Sequence, residues 1–230
     1  MLRIRFQHSL EELKEQLLVM AGLAEQSVQR AIEGYATRDI SVCEQVMLSE
    51  RAINRLEREI DQLALDLLAM EQPMAIDLRF ILSVIKINAD LERVGDAAKA
   101  ISDRVRSMEQ MAIVDLPVDI PRMAALAADM VRKSLQSFIE ADAAMARTVL
   151  TMDDAVDTMN RAAYKSLTKV MAEESHLAPQ ALNALMISRN LERVADHATN
   201  IAEDVIFWIE GNDVRHHKSL KVAPDPHALG

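Results

Sequence analysis

Aromatic residues make up only 3 % of this 230-residue chain, which contains just five glycines and six prolines. Gly and Pro together are roughly 5 % of the residues, against about 12 % in average usage. Strands favour β-branched and aromatic residues, and the turns between them need Gly and Pro, so an all-β fold is excluded. Cysteine is nearly absent too. The single Cys43 has no partner for an internal disulfide, which fits a reducing compartment. No apolar run reaches the roughly 18 residues of a membrane span. Met1 to Phe6 carry Arg3 and Arg5 and lead straight into an acidic helical pattern, without the apolar segment of a secretion signal. A soluble, cytoplasmic protein is expected. Positive charge is also short, with 26 Lys and Arg against 36 Asp and Glu, a net charge of -10. Such a chain is a poor general partner for nucleic acid or an anionic lipid surface and a reasonable host for cations. What is abundant is apolar side chain, half of all residues, enough to bury a sizeable core and to exclude disorder over most of the length. An all-α protein remains.

The few prolines and glycines punctuate six helices. Ser9 with Glu12 reads as a capping box opening a first helix that runs to about Tyr35, ended by Gly34 and Thr37-Arg38-Asp39. A second helix spans about 40–70, with Ile53, Leu56, Ile60, Leu63 and Leu67 at three- and four-residue steps, and Pro73 breaks it. A third spans about 76–108 and carries Leu78, Ile81, Ile85, Leu91, Ala98, Ile101 and Val105. Residues 111–120, which contain Pro117 and are followed by Pro121, read as a linker. Helices at about 121–141, 143–174 and 179–210 follow, and Gly211-Asn212 stops the last. The tail from Lys218, with Pro224 and Pro226, is expected to be disordered.

The chain repeats itself. Leu91-Glu92-Arg93-Val94 recurs as Leu191-Glu192-Arg193-Val194, with Asp96, Ala98, Ile101 and Val105 matching Asp196, Ala198, Ile201 and Val205. Upstream, Val28, Tyr35, Asp39 and Val46 match Val131, Phe138, Asp142 and Val149 with three extra residues of spacing, a difference that a loop absorbs. The expected architecture is two similar three-helix bundles related by a pseudo-twofold: residues 1–110 and 121–217.

Each half carries an acidic constellation. Glu92 and Asp96, four apart, share a helix face, and Asp103 lies nearly in line; Glu192, Asp196 and Glu203 repeat this. Stacked like charges are unfavourable, and their recurrence suggests a compensating cation. On the preceding helix of the second half, Asp153 and Asp157 are again four apart; their first-half counterparts are Glu50 and Asn54. Counting outward from the hairpins brings Asn54 level with Val94, and Asp157 level with Ala195. Carboxylate pairs at one height on adjacent helices can surround a hard or borderline divalent cation.

The plainer readings stand beside this one. A lone Glu-x-x-x-Asp is most often a solvated face, and Arg93 and Arg193 can neutralise the acids without metal. A metal-dependent hydrolase or oxidase using these carboxylates is the alternative function. The Glu-x-x-His pairs of di-iron sites are missing, apart from Glu173-x-x-His176 at a hairpin end. His197, with Ala97 at the matching position, reads as a partly exposed helix histidine before a ligand. The methionines read as core filling, and Trp208 with Ile206, Phe207 and Ile209 as the dock of the last helix.

The twofold repeat, the paired acidic motifs, Asp77-Leu78-Arg79 opening the third helix and the ending Gly211-Asn212-Asp213-Val214-Arg215-His216 resemble the PhoU family of phosphate-transport accessory proteins, over about residues 5–217. The resemblance implies a cytoplasmic, six-helix adaptor without enzymatic activity, often a homodimer, that represses the phosphate-starvation response. It implies two partners, the ATPase subunit of a phosphate transporter and a sensor histidine kinase, with the membrane reached only through them and no nucleic acid bound. It implies metal sites (Mg, Mn, Fe or Zn, with no organic cofactor) at Glu50, Asn54, Glu92 and Asp96 in the first half and Asp153, Asp157, Glu192 and Asp196 in the second. Asn54 departs from the acidic pattern of that motif.

Overall fold

The computed structural model describes residues 2–71 and 73–215, and the tail expected to be disordered lies outside them. Among the described residues there are six α-helices and no strand: α1 (Leu2–Thr37), α2 (Ile40–Glu71), α3 (Ile76–Ser107), α4 (Ile120–Glu140), α5 (Ala143–Glu173) and α6 (Ala178–Glu210). A single 3₁₀ turn, Ser175–Leu177, leads into α6. The start of α1 differs from the expected one. Ser9 and Glu12 lie inside the helix, because no Gly or Pro interrupts residues 2–8 and the helix continues through them.

The two halves turn their corners alike. Arg38 (φ 60°) and Ala141 (φ 51°) each take a left-handed conformation that ends a helix. The next residue, Asp39 or Asp142, then caps the helix that follows. Asp39 Oδ1 accepts from the Ser41 amide at 2.8 Å, and Asp142 Oδ1 from the Ala144 amide at 2.8 Å. Asp119 caps α4 through the Arg122 amide at 3.0 Å, with a proline in the first turn where its missing N–H costs nothing. Gly211 (φ 74°) closes α6, its N–H donating to the Phe207 carbonyl at 2.9 Å.

Each half packs its three helices together, and the halves meet mainly where α3 lies along α6. The two run antiparallel: Arg79 Nε donates to the Trp208 carbonyl (3.2 Å), Ser83 Oγ to the Asp204 carbonyl (3.0 Å), and near the other end Ser107 Oγ to Asn183 Oδ1 (3.0 Å). One buried core runs through both halves, including Ile53, Ile60 and Leu67 of α2, Leu91 and Ile101 of α3, and Leu191 and Ile201 of α6. Leu78, one of the apolar residues of α3 named from the sequence, is 36 % exposed near the start of the helix. Phe80 of α3, Phe138 of α4 and Trp208 of α6 form an aromatic cluster with centroids 5.1–5.9 Å apart, joining elements of both halves.

Candidate metal centre

The antiparallel α3–α6 pairing places Val94 and Val194 near the middle of the crossing, both fully buried. The acidic motif flanking each valine is thereby carried to the same side. Glu92, Arg93 and Asp96 of α3 line one cleft together with Arg193, Asp196 and His197 of α6. The sequence repeat announces a pseudo-twofold but not where its axis falls, so this convergence of the two motifs was not legible beforehand.

In the second half, Asp153, Asp157 and Asp196 each offer a carboxylate oxygen, and these oxygens lie within 4.8 Å of one another. Helices α5 and α6 pack as an antiparallel hairpin, which sets the Asp153–Asp157 face against Asp196 as the residue count outward from the hairpin predicts. Burial pushes the Asp196 carboxyl up to about 6, and Glu192, Asp153 and Asp157 push it the same way. Burial likewise raises Glu192, with Asp157 adding to the effect. Negative charge is crowded here beyond what the neighbouring groups offset. Arg161 lies 3.3 Å from Asp157, but its side chain is 68 % exposed and contributes little. Three converging carboxylates, with Glu192 close enough to add to their field, suit a hard or borderline divalent cation, and the residues present fit such an ion.

The first-half set is built differently. Glu50 is buried, and its Oε1 accepts from Lys99 Nζ at 2.9 Å and from Asn54 Nδ2 at 3.0 Å. Glu92 is raised by burial, then by Asp96, Glu57 and Glu50. Among the described residues the tight three-donor group falls in the second half alone. Lys99 was missed in the sequence. The signal was available, because position 99 holds Lys where position 199 holds Thr, between the matched pairs at 98 and 101. Asp103, in line with Glu92 and Asp96, is exposed and sits 3.8 Å from Arg106.

His197 is partly exposed, as expected, and it has a partner that the sequence did not show. Its side chain is 12 % exposed, and Nδ1 lies 2.8 Å from Asp90 Oδ1, which also accepts from Asn200 Nδ2 at 3.2 Å. A carboxylate on Nδ1 fixes ring orientation and turns Nε2 to other work. Asp90 and His197 are far apart in sequence and meet only through the α3–α6 pairing.

Two segments of the chain, residues 17–105 and 120–205, match the sequence model of the PhoU domain. The chain belongs to the PhoU family. All eight candidate donors and Lys99 lie within those two PhoU segments. The chain is 36 % identical, over 92 % of its length and 88 % of the relative's, to the phosphate-specific transport system accessory protein PhoU homolog of Pseudomonas aeruginosa. It is 31 % identical to the homolog of the same name in Clostridium acetobutylicum, over 93 % of this chain and 98 % of that one. A crystal structure of PhoU from Pseudomonas aeruginosa superposes with a TM-score of 0.87 at 34 % identity, covering 90 % of this chain and all of that one. The phosphate transport system regulatory protein PhoU from Streptococcus pneumoniae superposes with a TM-score of 0.81 at 26 % identity, over 91 % of this chain and 99 % of that one. The PhoU relatives are named as accessory and regulatory proteins, not as enzymes. Among the described residues no helix is long and apolar enough to cross a membrane.

Proposed function

We propose that this chain regulates phosphate transport as a cytoplasmic adaptor, coupling a phosphate transporter, through its ATPase subunit, to a sensor histidine kinase and repressing the phosphate-starvation response when phosphate is plentiful. The observation that carries this reading is the likeness, over nearly the whole length of both chains, to proteins named as accessory to the phosphate-specific transport system. The physics of the cleft favours an indirect role. The carboxylate sets themselves repel phosphate, so phosphate status reaches this protein through partners or through a bound cation, not through bare acids. Asp153, Asp157, Glu192 and Asp196 would hold a divalent ion, which supplies positive charge that neutralises the crowded carboxylates and stiffens the α5–α6 pair.

Deleting the gene should raise expression of phosphate-uptake genes in phosphate-rich medium, and restoring the full chain should lower it again. Transcript levels measured with and without the gene decide the matter; unchanged expression in the deletion strain contradicts the proposal.

A further inference from the structure

We infer that Lys99 is a resident cation that closes the first-half carboxylate set to metal, so that of the two repeat-related sets only the second takes a divalent ion. The clause about the second set rests on the metal reading proposed above; the clause about Lys99 stands on the first half alone.

Glu50 occupies the repeat position of Asp153, and the first set holds an ammonium of its own: Lys99 Nζ sits 2.9 Å from Glu50 Oε1. The pair is half-hidden, with the Glu50 side chain 12 % exposed and that of Lys99 34 %. Asp96 and Asp103 on the same helix add to the negative field that holds the ammonium in place. A hard cation binds where negative oxygens converge without a competing charge. In the first half three carboxylates share their field with one ammonium, and Asn54 brings no charge. In the second half the Asp153, Asp157 and Asp196 oxygens lie within 4.8 Å of one another, Arg161 meets Asp157 only from an exposed position, and Thr199, at the position of Lys99, turns its hydroxyl back to the Ala195 carbonyl at 3.0 Å. The first set still has an oxygen in reserve: Asn54 Oδ1 is buried with no hydrogen-bond partner. Removing Lys99 should free Glu50 and present Glu50, Asn54 Oδ1, Glu92 and Asp96 as a second donor set.

The test counts Mn(II) bound per chain by equilibrium dialysis of metal-free, full-length protein. Lys99→Thr, which copies the second half, and Lys99→Met, which keeps the aliphatic stem, should both take up more Mn(II) than wild type. Adding Glu92→Gln to Lys99→Thr should abolish the gain. Asp157→Asn should lower wild-type uptake and leave the gain intact. Glu92→Gln alone should leave wild-type uptake unchanged, a reading that needs no Lys99 variant to fold. Uptake equal to wild type in both Lys99 variants, with helical dichroism retained, overturns the inference, as does a loss of Mn(II) in Glu92→Gln alone. If wild type takes up no Mn(II) but Lys99→Thr does, the role of Lys99 stands and the metal reading of the second half falls.

Discussion

Mn(II) added to the metal-free chain should raise its melting temperature, and replacing Asp157 and Asp196 together by Asn should remove most of that rise. A ligand that binds only the folded chain stabilises it by mass action, about 2.7 kcal/mol at a concentration ~100-fold above its dissociation constant. In a chain of this length each kcal/mol moves the midpoint by about 2–4 °C, so the rise should be roughly 5–10 °C. Asp157 and Asp196 supply two of the three carboxylates that converge in the second half. The paired change Glu92→Gln with Asp96→Asn should leave the rise nearly intact, since Lys99 already partners Glu50 on that side. The same experiment carries a pH signature. The folded-state value of Asp196, about 6, lies above its ordinary 3.8, so the folded chain holds the proton more tightly than the unfolded one. Its contribution to metal-free stability is complete below about pH 3.8 and is lost as pH rises through about 6. Wild type should therefore gain on the Asp196→Asn variant as pH falls from about 7 to about 5. Metal needs the ionised carboxylate, so the Mn(II)-induced rise should shrink over the same range. A metal-induced rise independent of pH would count against Asp196 as a ligand.

Phe138→Ala should lower the melting temperature by roughly 10 °C in the metal-free chain. Phe138 is 1 % exposed, stacks 5.9 Å from Phe80 and lies tilted 5.4 Å from Trp208, so its removal leaves a cavity bounded by α3, α4 and α6. Phe→Ala changes in cores cost about 3–5 kcal/mol, because the surroundings collapse only partly. At about 2–4 °C per kcal/mol this gives the stated drop. Tyr164, 62 % exposed on α5, is the control: Tyr164→Ala should shift stability by no more than about 0.5 kcal/mol. Near-equal midpoints for the two variants would mean that the aromatic cluster does not join the halves.

The fold was legible because it is local. Pro73, Pro179 and Gly211 punctuate the chain, and three- and four-residue apolar steps identify each buried face, as Ile53, Ile60 and Leu67 show. The level placement of Asp153 and Asp157 with Asp196 was legible too, since two antiparallel helices joined by a short turn keep step at equal rise. Contacts that depend on how the halves cross were not. Asp90 meets His197 and Glu50 meets Lys99 across helix interfaces whose rotation no single-helix pattern specifies. The repeat itself holds part of the missing information, because mismatched positions such as Lys99 against Thr199 and Ala97 against His197 mark where the two halves diverge. The start of α1 eluded the reading for a simpler reason: a Ser-x-x-Glu pair caps a helix only where the chain before it is not already helical, and here α1 begins at Leu2.

If the repeated acidic motifs are chemically unequal, the second half binds a divalent ion and the first is closed by an ammonium. Anomalous diffraction from crystals of the full chain grown with Mn(II) decides this. An anomalous peak is expected in bonding contact with Asp153, Asp157 and Asp196, and none at Glu92 and Asp96, where Lys99 meets Glu50. Peaks of equal height in both halves, or a peak beside Glu92 and Asp96 alone, would contradict it.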